Sequence, residues 1–258
     1  MDFRLVNKRI VADSYPLPLL WDNLQLAAHH EYYITLDLNN GFWNLPLAEA
    51  SKPITALITH LGQFEFNVLP FGIKNSPGEF QRAVDTVLGD LYGTGVLAYI
   101  DDIVIYANDL DSLFTLFEQV LSRLLNAGVY IKIRKCEFIL SSAPLLGHVI
   151  SRAGIQPCPK KVEALRNAPT PTNKDQVRSL PGAATYLRRF VPDFSTIAEP
   201  LTRLTKKGTP FVWNDEEQHA FTQLKTCISD QVLLIAPDGN KPFVVITDAS
   251  LLLLHSVR

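Results

Sequence analysis

Two adjacent aspartates, Asp101 and Asp102, stand inside the apolar run Gly95–Ala107, GVLAYIDDIVIYA, which no Lys or Arg interrupts. Burying a carboxylate without a partner costs several kcal/mol or forces it to take up a proton, and here two like charges are side by side. The fold must therefore bring the pair to an edge of the buried layer and supply positive charge from elsewhere. Two short β-forming pieces, GVLAYI and IVIYA, flank the pair, so the stretch reads as a hairpin with the acids at its tip. The rest of the chain supports a folded core, with 47% hydrophobic and 19% charged residues among 258.

The remaining elements follow from periodicity and turn residues. Tyr32–Leu38 (YYITLDL) reads as a strand closed by the turn-prone Asn39-Asn40-Gly41, and Phe64–Pro70 (FEFNVLP) as another. Ser76 is placed as a helix N-cap and Pro77 at the first helical position, ahead of Phe80, Val84, Val87, Leu88 and Leu91 at helical spacing. A second amphipathic helix carries Leu113, Leu116, Phe117, Val120 and Leu124, with Gly128 at its C-terminal end. Strand-like pieces follow at VYIKI, EFIL and PLLGHVI. Beyond Gly154 the pattern becomes helical, over Lys160–Asn167, Lys174–Phe190 and Asp215–Ser229, with a Pro/Thr linker at Ala168–Lys174 and a buried strand in KPFVVITDAS that finishes near Asp248. The order indicates an α+β fold in which helices pack on one face of an antiparallel sheet.

Asp37 ends a strand just as the pair sits at a hairpin tip. Three such acids suit two-metal phosphoryl transfer, in which divalent cations about 3.5–4 Å apart clamp the attacking and leaving oxygens. Magnesium needs only one or two protein carboxylates besides substrate oxygens, and the cations would supply the charge that the apolar run lacks. Asp-Asp is also a common turn pair. A phosphoacceptor receiver domain likewise combines an acid pair with a lone aspartate, but there the pair comes first in the chain, whereas here Asp37 precedes it.

Six segments in order, Asp2–Lys8 (DFRLVNK), Leu36–Leu47 (LDLNNGFWNLPL), Leu69–Gln81 (LPFGIKNSPGEFQ), Tyr99–Asp102 (YIDD), Leu145–Ser151 (LLGHVIS) and Phe243–Ser250 (FVVITDAS), resemble reverse transcriptases, especially those of long-terminal-repeat retrotransposons of the Ty3/gypsy type. The resemblance implies a right-hand polymerase: fingers and palm over 1–152, a helical thumb over 153–207, and a connection with the start of a ribonuclease H-like domain over 208–258. It implies RNA-directed DNA polymerase activity with two Mg2+ ions, Mn2+ being an alternative, held by Asp37, Asp101 and Asp102. The partners would be an RNA or DNA template-primer and deoxynucleoside triphosphates, with no membrane. Asn40, Gly41, Phe42, Phe71, Gly72 and Arg4 fall at nucleotide-binding positions, the ring of Phe42 against the sugar, where it would exclude a 2′-hydroxyl. Leu69 and Pro70 belong to the loop over nucleotide and template, and Leu146, Gly147 and His148 to the hairpin that holds the primer terminus. Arg188 and Arg189 are expected on duplex phosphates, Lys8 and Lys74 are further candidates for the triphosphate, and Asp248 matches the first ribonuclease H carboxylate.

Departures from that pattern set a second expectation, a non-catalytic nucleic-acid-binding remnant with the same fold. Ile54 and Ile58 stand where the resemblance implies Lys and Arg, Pro181 interrupts a thumb helix at a cost of about 3 kcal/mol, and the expected basic residues ahead of Asp2 and the further ribonuclease H acids after Asp248 are missing. The net charge of −2 leaves nucleic-acid contact to local patches. Cys136, Cys158 and Cys227 are spaced too widely for a CxxC zinc site and fit a reducing compartment. With no apolar run near the ~18 residues of a membrane span and no signal-peptide pattern, the expected location is intracellular, in a cytoplasmic particle or the nucleus. His29 and His30 read as surface residues.

Overall fold

The computed structural model describes residues 2–178, 186, 188–229 and 233–235, with the backbone of Asp248–Ser250 and Leu253–His255. Pro181, the middle of the helix expected over Lys174–Phe190 and most of the strand expected ahead of Asp248 lie outside the described residues.

A four-stranded antiparallel sheet in the order β4-β5-β1-β6 forms the centre, with β1 Tyr32–Asp37, β4 Val96–Tyr99, β5 Asp102–Ala107 and β6 Glu137–Leu140. Strands β4 and β5 are the expected hairpin. Alternation along β5 sends Ile103 and Ile105 to one face and Val104 and Tyr106 to the other, and along β1 Ile34 and Leu36 oppose Tyr33. Both faces are covered, which corrects the expectation of helices on one face only and explains why the run around the acids is apolar at every position. The first face packs on α3 (Ser76–Leu88) and α4 (Leu110–Asn126), through Phe80, Val84, Leu88, Leu113, Val120 and Leu124. The second joins α2 (Leu20–Ala27), the β7-β8-β9 sheet (Ser142–Leu145, His148–Ser151, Gly154–Pro157) and the helices α5 (Pro159–Arg166), α6 (Phe194–Thr205) and α7 (Asp215–Ser229) in one hydrophobic cluster.

Several boundaries differ from the sequence reading. Asn75, not Ser76, is the N-cap of α3. Ser76 is its first residue, and its hydroxyl donates to the Pro70 carbonyl at 3.0 Å. Asp109 caps α4 by accepting from the Ser112 N–H at 2.8 Å, and Gly128, at φ +71°, follows the C-cap Ala127. Phe64–Pro70 is not one strand: β3 (Gly62–Phe64) pairs locally with β2 (Leu57–Thr59), while Asn67 and Leu69 bond to Leu47 and Leu45. VYIKI contributes a single bridge, Ile131 to Leu38, before a 3-10 turn at Ile133–Lys135. Helix α6 was hidden by its internal Pro200, a residue that ordinarily argues against a helix interior.

Candidate active site

The register of the sheet sets Asp37, the last residue of β1, directly opposite Asp102, the first of β5. Asp101 occupies the turn between β4 and β5, and its carbonyl accepts from the Leu38 N–H at 3.0 Å. The three acids expected from the sequence are therefore brought to one end of the sheet. Asp101 Oδ1 is buried without a hydrogen-bond partner among the described residues, and a Cβ on Gly41 would lie 1.7 Å from it. Gly41 thus leaves the gap into which the carboxylate fits.

Lys135, which the sequence reading missed, lies just outside the triad and donates to Asp37 Oδ2 at 2.8 Å. Among the described residues no three His, Cys, Asp or Glu side chains converge as a ready ligand set, and Asp37 is paired with this ammonium. The Asp101 carboxyl is raised above its usual pKa by burial and then by the charges of Asp37 and Asp102, and Lys135 opposes the rise. Burial followed by Asp37 raises Asp102 in the same way. Like charges held at a sheet edge, one with an orphan oxygen, fit a hard divalent cation that takes oxygen ligands.

Next to the triad, Asn40 is left-handed at φ +54° and starts the 3-10 turn Gly41–Asn44, and the Asn44 side-chain amide donates to the Asn39 and Gly41 carbonyls at 3.0 and 3.1 Å. Phe42 is 8% exposed and meets Phe71 and Phe80 edge to face at 4.9 and 5.2 Å. Leu69 and Pro70 are buried, and Phe71 and Gly72 are exposed. Arg4 is engaged by Asp2, its guanidinium 2.6 Å from the carboxylate, on a short helix at the surface. Lys74 Nζ donates to the Ile10 carbonyl at 2.8 Å, and Lys8 is exposed.

Leu146 and Gly147 form the left-handed turn between β7 and β8, at φ +50° and +80°. His148 follows, fully buried among Trp21, Tyr186 and Phe190. Burial pushes its pKa down to about 4. A base whose folded pKa is depressed stays neutral in the fold while the unfolded chain is protonated below about 6.5. Stability contributed by neutral His148 is accordingly complete above that value and is lost as pH falls toward 4. A tenfold difference in proton affinity between the folded and unfolded chains corresponds to about 1.4 kcal/mol, so His148→Phe is expected to flatten the pH dependence of chemical unfolding between roughly pH 6.5 and 4. An unchanged slope in that window would contradict a buried neutral ring.

Arg188 and Arg189 are exposed on a 3-10 turn that ends at buried Phe190, and the Arg189 guanidinium lies over Trp21 at 4.3 Å. Asp248 begins β10, which pairs with β11 (Leu253–His255). His29 is exposed and bonds the Arg152 carbonyl at 2.9 Å, but His30 is half-buried and packs on Tyr106 at 4.5 Å, which corrects its assignment as a surface residue. Gln81, the second residue missed, is fully buried on α3 and holds the turn that carries the acids. A polar side chain between Phe80 and Val84 on the apolar face was the available signal for it.

Residues 1–165 match the profile of the reverse transcriptase (RNA-dependent DNA polymerase) family, and residues 213–257 match the RNase H-like domain found in reverse transcriptase. Among curated relatives, the Pol polyprotein of transposon 297 from Drosophila melanogaster is 35% identical over all of this chain, and that of transposon gypsy from the same organism is 34% identical over 97%. The chain spans only 24% and 25% of those polyproteins. A foamy viral protease-reverse transcriptase solved with double-stranded DNA superimposes on 96% of the chain at a TM-score of 0.88 and 28% identity, covering 44% of that structure. The same viral protein solved with an RNA/DNA hybrid gives 0.84 over 93% at 27% identity, covering 33% of it. The match over most of the chain, the superposition and the aspartates at the end of the palm sheet agree, and the chain belongs to the reverse transcriptase family of gypsy-type retrotransposon Pol polyproteins.

Proposed function

We propose that the chain is the polymerase part of a retrotransposon Pol polyprotein and transfers nucleotidyl groups from deoxynucleoside triphosphates to a primer 3′-hydroxyl on an RNA or DNA template. The observation that carries this reading is the β1–β5 register, which places Asp37 against Asp102 with Asp101 beside Gly41. In the reaction the 3′-oxygen bonds to the α-phosphorus, the bond to the oxygen bridging the α- and β-phosphates breaks, pyrophosphate leaves and the hydroxyl proton passes to solvent water. Two Mg2+ ions, or Mn2+, held by Asp37, Asp101 and Asp102 would polarise the phosphate and neutralise its developing charge. Asn40 and Gly41 offer backbone N–H groups to the triphosphate, Phe42 faces the sugar, and the Leu146–His148 turn and Arg188 and Arg189 hold primer and duplex phosphates. Fingers and palm occupy 1–152, the thumb 153–207, and the connection 208–258, within an intracellular particle or the nucleus.

One observation favours a second reading, a fold that binds nucleic acid but turns over poorly. Ile54 and Ile58 are 53% and 86% exposed, so the fingers present aliphatic surface where cations would grip a triphosphate. Primer extension on RNA with Mg2+ separates the two readings. Restoring Lys at position 54 and Arg at position 58 is expected to raise incorporation, and binding without extension in both proteins would leave only the second.

Phe42→Val provides a further check. The smaller side chain removes the barrier to a 2′-hydroxyl, so the ratio of kcat/KM for ribonucleotides to that for deoxynucleotides is expected to rise by at least about tenfold, equivalent to 1.4 kcal/mol of differential transition-state binding. The same change loosens the packing with Phe71 and Phe80 and lowers the melting temperature. A lower melting temperature with an unchanged ratio would confine Phe42 to the core.

A further inference from the structure

The turn that carries Asp101 and Asp102 is held from an unexpected distance. Ile100 leads into it at φ +54°, a left-handed conformation that a β-branched residue adopts only when its surroundings enforce it. The enforcing group is Gln81. Its Oε1 accepts from the Ile100 N–H at 2.7 Å and its Nε2 donates to the Ala98 carbonyl at 3.1 Å. A side-chain amide supplies an acceptor and a donor on separate atoms, whereas an ionised carboxylate would only accept, which favours Gln over Glu on this apolar face.

The amide is oriented in turn. Gln81 Nε2 also donates to Asp85 Oδ1 at 2.8 Å, one helical turn along α3, and Asp85 Oδ2 accepts from the Tyr15 hydroxyl at 2.7 Å. That hydrogen bond holds the Tyr15 phenol above its usual pKa. Tyr15 lies at the end of an N-terminal strap that is stitched to the start of α3. Asn7 bridges the Gly72 carbonyl and the Lys74 N–H, each at 2.8 Å. The Asn75 side chain bonds the Val11 carbonyl and the Asp13 N–H at 2.9 and 3.2 Å. Arg82 pairs with Asp13 and covers the Tyr15 ring.

We propose that Tyr15, Asp85 and Gln81 form a positioning relay through which the seating of the N-terminal strap sets the geometry of the turn bearing Asp101 and Asp102. Among the described residues no hydrogen bond or ion pair joins any of the three to Asp101 or Asp102, and Gln81 reaches their turn through the backbone of Ala98 and Ile100. The relay explains why an exposed strap is tied down by polar contacts at so many points. It rests on the reading of the acids as cation ligands only for its consequence, and the holding of the turn stands separately.

The test is hydrogen exchange across 96–103 in the full chain, read beside Mn2+ affinity from electron paramagnetic resonance. Tyr15→Phe and Asp85→Leu are expected to speed exchange of the Ile100 amide about fivefold, the effect of losing one hydrogen bond of roughly 1 kcal/mol, and to weaken Mn2+ binding several-fold. Exchange in the remainder of α3 and β5 should stay as in the wild type. Asp85→Asn, whose oxygen still accepts from Gln81, should restore most of the protection. Unchanged exchange at Ile100, or acceleration spread evenly over α3 and both strands, would overturn the relay. Local acceleration with unchanged Mn2+ affinity would keep the relay and remove the acids from the cation site, so failure of the functional reading is distinguishable from failure of this one.

Discussion

Gly41→Ala is expected to abolish the response of this protein to divalent cations. The added Cβ would stand 1.7 Å from Asp101 Oδ1, 2.9 Å from its Cγ and 3.0 Å from Phe80 Cζ. Phe80 is 1% exposed and packed against Phe42, so it cannot yield, and the Asp101 carboxylate must leave its place. Crowding of this kind costs about 1–3 kcal/mol, and a domain of this size loses roughly 2–4 °C of melting temperature per kcal/mol. The larger effect is on the proposed cation site, since displacing one carboxylate removes one of the three acids assigned to it. Mg2+ or Mn2+ should no longer raise the melting temperature, and nucleotide addition should fall by at least about a hundredfold, as when positioned charge is lost from a reacting centre. Combining it with Asp101→Ser relieves the clash and should recover the melting temperature without the cation response. A single variant that still responds to Mg2+ like the wild type would show that Asp101 needs no gap at Gly41.

How much of this was legible in the sequence depends on the range of the interaction concerned. The acid pair at the tip of an apolar hairpin is a local pattern, and helices α3 and α4 announce themselves through Phe80, Val84 and Leu88 and through Leu113, Val120 and Leu124. Asp37 could be proposed as a third ligand, but its position opposite Asp102 is a matter of register between distant strands, which a one-residue slip would reverse. Lys135 escaped notice because its partner is Asp37 and nothing near it in the chain reveals that. Gln81 was visible as a polar residue on an apolar face, yet its role rests on a backbone conformation at Ile100 that composition does not encode. His30 was misplaced for a similar reason, since only the β5 register brings Tyr106 beneath it. The apolar run was read as covered on one side because no pattern within it identifies what packs on the second. That cover comes from β7–β9 and the C-terminal helices. The misses at Lys135, Gln81, His30 and the second face of the sheet involve contacts between segments far apart in the chain, whereas the cap at Asn75 and the helix containing Pro200 were misread from local signals alone.

Asp101→Asn should separate the two costs that this carboxylate imposes, one on stability and one on chemistry. Its pKa is raised by burial and by Asp37 and Asp102. A carboxyl whose folded pKa exceeds its unfolded value favours the fold below the unfolded value, near 3.9 for an ordinary Asp, and that contribution is lost as pH rises through the folded value. At neutral pH without divalent cations the ionised group therefore works against the fold, and Asn, of nearly the same shape, should melt higher than the wild type. The difference should shrink as pH falls below the ordinary carboxylate range, where Asp101 is protonated in both states. With Mg2+ the order should reverse, because the cation stabilises the charged site and the amide does not replace that ligand. Nucleotide addition should then be lost by orders of magnitude while the fold remains. Asp102→Asn should follow the same pattern, and Lys135→Met the opposite one, with lower stability without cations and a larger gain on adding them, because Asp37 loses its internal counter-charge. An Asp101→Asn protein that melts like the wild type at neutral pH and still gains stability from Mg2+ would remove Asp101 from the cation site and leave the acid pair as turn residues.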